Sequence, residues 1–189
     1  MEVIKTEIDG VLIIEPRIFP DERGYFFESF SQKEFNEKVM PINFVQDNES
    51  SSSYGVIRGL HYQKMPYSQS KLLRCIEGEI IDIAVDLRKG SPTYGKNVSV
   101  ILSGKNHRQL FIPKGFAHGF AVLSEKAIVQ YKCDNFYTPD SEAGIQLMDK
   151  NLGIDWMIPL DQAILSEKDK NYPMLADAPV DFHIDDKLY

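Results

Sequence analysis

Cysteine, histidine and tryptophan are scarce in this sequence of 189 residues, which contains two, four and one of them respectively. Cys75 and Cys133 lie far apart in strand-like segments, so they indicate free thiols in a reducing compartment and not a disulfide framework. No window approaches the ~20 apolar residues of a membrane-spanning helix, and the first residues lack the layout of a signal peptide. We therefore expect a cytoplasmic protein with no membrane segment.

Positive charge is also in short supply, because 28 acidic residues outnumber 21 basic ones and give a net charge of −7. The acidic excess is spread along the chain and does not form a tail, which argues against binding to nucleic acid or to an anionic membrane. An anionic ligand would have to be held by a local group of arginine and lysine side chains.

Short segments that alternate apolar and polar residues dominate the middle of the chain, separated by turns containing Gly, Pro, Asn and Ser. This period of two predicts an all-β antiparallel sandwich or barrel of the Greek-key or jelly-roll type. The length favours a single domain, residues 1–189. The main predicted strands are residues 71–76, 79–88, 98–102, 108–112, 119–123 and 127–133.

Helices are expected to be few, short and peripheral. Ser31 stands three residues before Glu34, as in a capping box, and Ser166 marks a second short helical start. The serines of residues 50–53 predict a brief polar loop. A C-terminal tail is expected from about residue 174, and its part from Pro179 is expected to be docked or frayed.

Residues 56–63, Val-Ile-Arg-Gly-Leu-His-Tyr-Gln, combine a guanidinium and an imidazole in one strand-like segment. The neutral imidazole of His61 could accept a proton at cellular pH, with Asp169 as the carboxylate that orients it. The alternative is a histidine that only forms a hydrogen bond within the barrel. Regular alternation places Arg58 and His61 on opposite faces, so both can line one cavity only if the strand bulges at Gly59.

Tyr131 and Lys71 are the candidates for an acid and for a stabilising cation. Tyr131 shares its face of the strand with Ala127, Val129 and Cys133, so we expect it to point inward. It is either a proton donor opposite His61 or a core tyrosine with a satisfied hydroxyl. Lys71 could stabilise an enolate oxygen, although a lysine on the rim of the barrel is the alternative.

His118 lies in residues 113–120, Pro-Lys-Gly-Phe-Ala-His-Gly-Phe, where a turn delivers it to the start of a strand. A metal site would need two or three further ligands that converge on it, and the sequence contains no His-x-His pair. We therefore expect no metal, and we expect His118 to form hydrogen bonds or to contact a phosphate group.

A further cluster near the start of the chain comprises Arg23, Phe26 and Glu28, followed by Gln46 and Asn48. A guanidinium beside aromatic faces and amides suits a nucleobase and its phosphates. The alternative is an ordinary hairpin with aromatic core residues.

Taken together, these motifs resemble the dTDP-4-dehydrorhamnose 3,5-epimerase family. The resemblance runs from about Gly10 to Pro173 and implies a cupin-type jelly roll, a homodimer and a cofactor-free epimerase. The implied substrate is dTDP-4-dehydro-6-deoxy-D-glucose. The segments that carry the resemblance are residues 58–63, Lys71, residues 74–75, 78–79, 82–86, 90–95, 113–120, 131–132 and 165–169.

The resemblance also implies a role for each matching residue. His61 corresponds to the base, Asp169 to its carboxylate partner, Tyr131 to the acid and Lys71 to the group that stabilises the enolate. The nucleotide-sugar contacts, some of them supplied across the dimer, correspond to Arg23, Phe26, Glu28, Gln46, Asn48, Arg58, His118, Glu142 and Lys168.

The sequence departs from the family pattern at two places. Ser70 stands where a glycine is expected, and Leu147-Met148 replaces the usual aromatic residue. Neither departure falls on a catalytic position, but both could alter the rim of the pocket or how readily substrate enters. The alternative functions are a single-centre epimerase, a ketoisomerase, a metal-dependent cupin enzyme, and a noncatalytic cupin that binds a nucleotide sugar.

Overall fold

The computed structural model describes residues 1–189, and most of its regular structure lies in two antiparallel β-sheets. In spatial order, the strands of the larger sheet are β1 (Glu2–Lys5), β2 (Leu12–Glu15), β10 (Gln109–Ile112), β7 (Lys71–Glu77), β12 (Lys126–Cys133) and β5 (Gln46–Ser53). Those of the smaller sheet are β13 (Glu142–Gly144), β6 (Ile57–Gln63), β11 (Phe116–Val122), β8 (Glu79–Asp86) and β9 (Asn97–Ser103). The predicted all-β, cupin-type jelly roll is confirmed.

The helices are short and peripheral, as predicted. The two α-helices are α1 (Gln32–Lys38) and α2 (Glu167–Lys170), and the Ser31 and Ser166 side chains cap them by accepting hydrogen bonds from the amides of Glu34 and Asp169. Single 3₁₀ turns cover Pro139–Ser141, Lys150–Leu152, Leu160–Gln162 and Leu175–Asp177. None of the helices is long and apolar enough to cross a bilayer.

The apolar residues form three clusters, one between the sheets and one on the outer face of each. The central cluster includes Leu73, Ile80 and Phe120 and fills one end of the space between the sheets. A second cluster covers the outer face of the smaller sheet with the segment that follows β13, including Trp156 and Phe182. Because both faces of the smaller sheet are covered, β8 is buried along almost its whole length, which explains its nearly continuous apolar sequence.

The serine-rich residues 50–53 form part of β5 and not the predicted loop. This strand lies at the edge of the larger sheet and pairs only with β12, so alternate side chains face solvent. An edge strand that packs few side chains into the core tolerates polar residues, which is why composition gave the wrong prediction here.

Two further strands, β3 (Phe19–Asp21) and β4 (Gly24–Phe26), form a separate hairpin that pairs with neither sheet. The hairpin exposes the side chains of Phe19, Tyr25 and Phe26. An isolated two-stranded hairpin with exposed aromatic residues is unusual in a protein that acts as a monomer.

Candidate active site

A cavity of about 650 Å³ opens between the two sheets at the end opposite the apolar core. Polar side chains from strands of both sheets and from α2 line it. Seven of the sequence-predicted residues meet in this cavity: Arg58, His61, Lys71, His118, Tyr131, Lys168 and Asp169.

Arg58 and His61 reach the same cavity because β6 contains the predicted bulge. The Cα partners of Arg58 and His61 on β11 are Phe120 and His118, so three steps on one strand correspond to two on the other. Gly59 supplies the extra residue, with φ of +140°, a backbone conformation that residues with a side chain rarely adopt. A Cβ at this position would lie 2.5 Å from the Cα of Gly119, so the close approach of the strands also requires glycine.

His61 forms a hydrogen bond of 2.6 Å through Nε2 with Oδ1 of Asp169. The His61 side chain is 28% exposed and that of Asp169 only 4%, so the imidazole faces the cavity and the carboxylate lies behind it. Burial would raise the pKa of Asp169, but the hydrogen bonds from His61 and Ser166 outweigh it and lower that pKa. An ionised Asp169 can therefore orient the imidazole and stabilise its protonated form, while Nδ1 is left to accept a proton.

Lys71 and Tyr131 enter the cavity from the larger sheet, on β7 and β12, whereas His61 lies on the smaller sheet. Burial lowers the pKa of Lys71 and raises that of Tyr131. The cavity is thus lined by an imidazole on one wall and by an ammonium and a phenol on the other.

A smaller cavity of about 220 Å³ adjoins the first and shares His61, Lys71 and Tyr131 with it. It is lined in addition by Gln46, Asn48 and Glu142, which the sequence also predicted as site residues. Sequence reasoning missed Tyr137, which lies in a loop where no periodic pattern marks it.

Tyr137 and Glu142, which line this smaller cavity, belong to an ionic network. Tyr137 donates a hydrogen bond of 2.8 Å to Glu142, and Lys168 forms an ion pair of 2.6 Å with the same carboxylate. Burial would raise the pKa of Glu142, but the bonds from Lys168 and Tyr137 lower it. The network holds the exposed ring of Tyr137 at the rim, as a flat apolar surface on which a base could stack.

His118 forms a second histidine–aspartate pair, with Nε2 at 2.6 Å from Oδ1 of Asp82. Asp82 is fully buried and its Oδ2 has no partner. Burial lowers the pKa of His118 despite the neighbouring carboxylate, so the ring is neutral at neutral pH. Asp82 was missed as a partner of His118, although a carboxylate at an inward position of an apolar strand was a usable signal. No three His, Cys, Asp or Glu residues are grouped so that they could hold a metal ion.

Three predicted contact residues lie outside both cavities. Arg23 and Phe26 are on the hairpin, where Arg23 pairs with Asp21 and is exposed. Glu28 follows the hairpin and lines a separate cavity of about 170 Å³ that contains no histidine. A single chain therefore does not bring these residues to His61.

The two departures from the family pattern differ in their surroundings. Leu147 is buried in the outer apolar cluster, and its carbonyl accepts a hydrogen bond of 3.0 Å from Trp156. Leu147 and Met148 line neither cavity, because they pack in the apolar cluster on the outer face of the smaller sheet. Ser70 is fully buried directly before Lys71.

Known proteins share this sequence and architecture over nearly the whole chain. A family model described as dTDP-4-dehydrorhamnose 3,5-epimerase matches residues 5–177. The enzyme of that name from Shigella flexneri is 56% identical over 179 residues, which cover 94% of this chain and 98% of that protein.

Two crystal structures agree with the fold described above. The dTDP-4-dehydrorhamnose 3,5-epimerase from Elizabethkingia anophelis is 52% identical with a TM-score of 0.89, over 94% of this chain and 97% of that one. The Legionella pneumophila epimerase, in complex with dTDP-4-keto-L-rhamnose, is 51% identical with a TM-score of 0.90, over 93% of each chain. The chain therefore belongs to the dTDP-4-dehydrorhamnose 3,5-epimerase family.

Proposed function

We propose that this enzyme catalyses the 3,5-epimerisation of dTDP-4-dehydro-6-deoxy-D-glucose to dTDP-4-dehydro-L-rhamnose without a cofactor. The observation that carries the proposal is the cavity itself, in which the His61–Asp169 pair and Tyr131 approach from opposing sheets. Inversion at carbon needs a base on one face of the sugar ring and an acid on the other, and this arrangement provides both.

The chemistry follows from the ketone at C4, which acidifies the protons on C3 and C5. His61 removes one of these protons through Nδ1, and the electrons of the broken C–H bond form an enolate with its charge on the C4 oxygen. Tyr131 then returns a proton to the same carbon from the opposite face. Solvent then takes the proton from His61 and supplies one to Tyr131, and the same two steps at the second carbon complete the reaction.

Lys71 stabilises the enolate in this proposal. Its ammonium makes no hydrogen bond of its own within the chain, so it is free to approach the C4 oxygen. Since the charge on that oxygen develops only during the reaction, this interaction favours the transition state over the bound ketone.

The remaining site residues are proposed to hold the nucleotide. Arg58 and Lys168 supply positive charge for the diphosphate, and the neutral His118 supplies a hydrogen-bond donor or acceptor. Gln46 and Asn48 offer amides to the base edges beside the Tyr137 ring. Binding energy from the nucleotide would position the sugar for proton transfer.

Deuterium incorporation from solvent tests the proposal directly. The enzyme is incubated with the dTDP-4-keto-6-deoxysugar in D₂O, and the product is examined by NMR and mass spectrometry. Deuterium at both C3 and C5 is expected. Exchange at one carbon would instead identify a single-centre epimerase, and binding without any exchange would identify a nucleotide-sugar binding protein.

The second part of the proposal is a homodimer in which the β3–β4 hairpin reaches the partner's cavity. Two observations support this dimer: the hairpin pairs with neither sheet, and the side chain of Phe26 is 70% exposed. In this arrangement Arg23, Phe26 and Glu28 contact the nucleotide in the partner's site. Both cysteines are free and buried, which supports the proposed cytoplasmic location.

A mixed dimer tests this arrangement. Arg23→Ala and His61→Asn variants are each expected to have little activity alone. If the hairpin acts across the interface, mixing the two variants restores roughly a quarter of wild-type activity, because half of the dimers are mixed and each has one intact site. A monomer in light scattering, or no recovery on mixing, would contradict the arrangement.

A further inference from the structure

Residues 180–189 lie beyond the part of the chain that the family model matches, which ends at residue 177. We call this segment the strap. It is an ordered part of the fold, because Val180 and Phe182 are buried and the Phe182 ring packs against that of Tyr62 at 5.9 Å. Backbone hydrogen bonds join Lys89 to Phe182 and Ile184 to Lys89, at 2.9 and 3.0 Å.

From this attachment the strap extends toward the segment that connects His61 to Lys71. Asp181 accepts a hydrogen bond of 3.0 Å from the amide of Met65, which lies in that segment. At the far end of the strap, the Tyr189 hydroxyl lies 2.6 Å from Oγ of Ser70 and accepts a hydrogen bond of 2.9 Å from the amide of Lys114. Because the hydroxyl oxygen accepts from Lys114, its own hydrogen is available to Ser70.

Ser70, Lys114, Asp134 and Tyr189 together form a polar group that we call the anchor. Asp134 accepts a hydrogen bond of 2.6 Å from the Ser70 amide and lies 3.4 Å from the Lys114 ammonium. The Lys114 ammonium also lies 5.0 Å from the centre of the Tyr189 ring. Ser70 is fully buried, so its hydroxyl depends on Tyr189 for a partner.

The anchor joins the two backbone segments that lead into the active site from different sheets. Ser70 directly precedes Lys71 on β7, and Lys114 lies four residues before His118 on β11. The Lys71 side chain makes no hydrogen bond of its own within the chain, so no polar contact would correct a shift of the backbone at the start of β7. The Tyr189 hydroxyl contacts both the Ser70 hydroxyl and the Lys114 amide, so it links the start of β7 to the start of β11, alongside the Asp134 carboxylate that contacts the same two residues.

We propose that Tyr189 is a positioning residue for Lys71, which it holds in the cavity through Ser70. The proposal rests on the proposed function, in which Lys71 stabilises the enolate. A glycine at position 70 would leave the Tyr189 hydroxyl without this partner.

Steady-state kinetics of Tyr189→Phe and Ser70→Gly test the proposal, with Tyr54→Phe as the matched control on an exposed tyrosine far from the anchor. Each of the first two substitutions should lower kcat about tenfold and leave KM within about twofold, since the nucleotide contacts are intact. The double variant should be no worse than either single one. Tyr54→Phe should match the wild type.

The same substitution in a Lys71→Ala background separates positioning from a general structural role. If Tyr189 acts through Lys71, Tyr189→Phe has no further effect on the residual exchange rate there. Two results would overturn the proposal. One is a tenfold loss of rate on Tyr189→Phe both with Lys71 present and in Lys71→Ala, and the other is a kcat that Tyr189→Phe leaves unchanged when Lys71 is present.

A measurement that does not depend on activity distinguishes a failure of the positioning role of Tyr189 from a failure of the proposed function. The Lys71 amine can be labelled by reductive ¹³C-methylation, and its NMR signal assigned by its absence in Lys71→Arg. The chemical shift and titration of this signal should change in Tyr189→Phe and not in Tyr54→Phe, even if the wild type exchanges no substrate protons. An unchanged signal would refute the positioning role, whereas wild-type inactivity alone would refute only the proposed function.

Discussion

The two histidine–aspartate pairs of the cavity have the same hydrogen-bond length and very different surroundings. His61 and His118 are Cα partners on neighbouring strands, and each ring contacts its carboxylate at 2.6 Å. The His61 side chain is 28% exposed, while that of His118 is 9% exposed and its Asp82 is fully buried. The two histidines therefore occupy equivalent positions on neighbouring strands, and the pairs differ in how deeply they are buried.

This difference indicates which pair can exchange protons. A base must carry positive charge after it removes a proton, and the more open site of His61 solvates that charge at lower cost. Burial lowers the pKa of His118, so charging that ring is unfavourable. We therefore assign proton transfer to the first pair and substrate binding to the second.

The strongest test of the comparison is to remove each imidazole in turn. His61→Asn should reduce deuterium exchange at both carbons by about 10⁴-fold, because the other imidazole on that wall, His118, is buried and its pKa is lowered by that burial. His118→Asn should mainly raise KM. The measurement is solvent exchange by NMR together with steady-state kinetics, and equal losses of exchange in the two variants would remove the distinction.

Tyr131→Phe tests the proposed acid, which lies on the wall opposite the His61–Asp169 pair. The variant should lose completed inversion by about 10³-fold and lose proton abstraction less, because His61 is intact. Comparing deuterium wash-in to the substrate with the rate of product formation separates the two steps. Parallel loss of both would assign Tyr131 a role in binding the sugar.

Amide variants of the two carboxylates compare the partners of the histidines. Asp169→Asn should lower kcat about 10²-fold, because the imidazolium loses its counter-charge. Asp82→Asn should instead reduce the free energy of unfolding by about 1–3 kcal/mol, the cost of disturbing a buried hydrogen bond. Both variants are measured by urea denaturation and by steady-state kinetics. A large kcat loss in Asp82→Asn with only a stability loss in Asp169→Asn would reverse the assignment.

The decrease of kcat at alkaline pH, the alkaline limb of the pH–rate profile, tests Lys71, which lies on the wall opposite His61. Burial lowers the pKa of Lys71, so kcat should fall with rising pH before a free lysine would lose its proton, while the raised pKa of Tyr131 keeps the phenol protonated in that range. Lys71→Arg retains the charge and should move this limb to higher pH. An unmoved limb in the pH–rate profile would exclude Lys71 as its origin.

The smallest expected effect is on stability at acid pH. The pKa of Asp169 is lowered in the folded state, so its ionised form contributes stability that is complete above the ordinary carboxyl pKa of about 4. That contribution is lost as pH falls through the lowered pKa. The difference in Tm between wild type and Asp169→Asn should therefore shrink below about pH 4, and a constant difference would count against the ion pair.

The sequence predicted the strands well where one or both faces pack against apolar neighbours. The alternation in residues 79–88 and 98–102 correctly predicted β8 and β9 as paired neighbours. It was wrong at residues 50–53, because serines at a sheet edge gain their backbone hydrogen bonds from a partner strand that the local sequence does not reveal.

The contents of the cavity were predictable to a similar extent. The bulge at Gly59 followed from the need to place Arg58 and His61 on one side, and the structure confirms it. The contact between Ser70 and Tyr189 spans 119 residues and involves no periodic pattern, so only the folded chain reveals it.

Because of the bulge at Gly59, the chemistry of this enzyme depends on the number of residues that separate Arg58 from His61 on β6. Removing that single residue would restore regular pleating and turn the guanidinium of Arg58 away from the cavity, although no functional group would be replaced. Evolution or design can therefore alter which charges such a barrel presents to its ligand by inserting or deleting one glycine, without replacing any functional group.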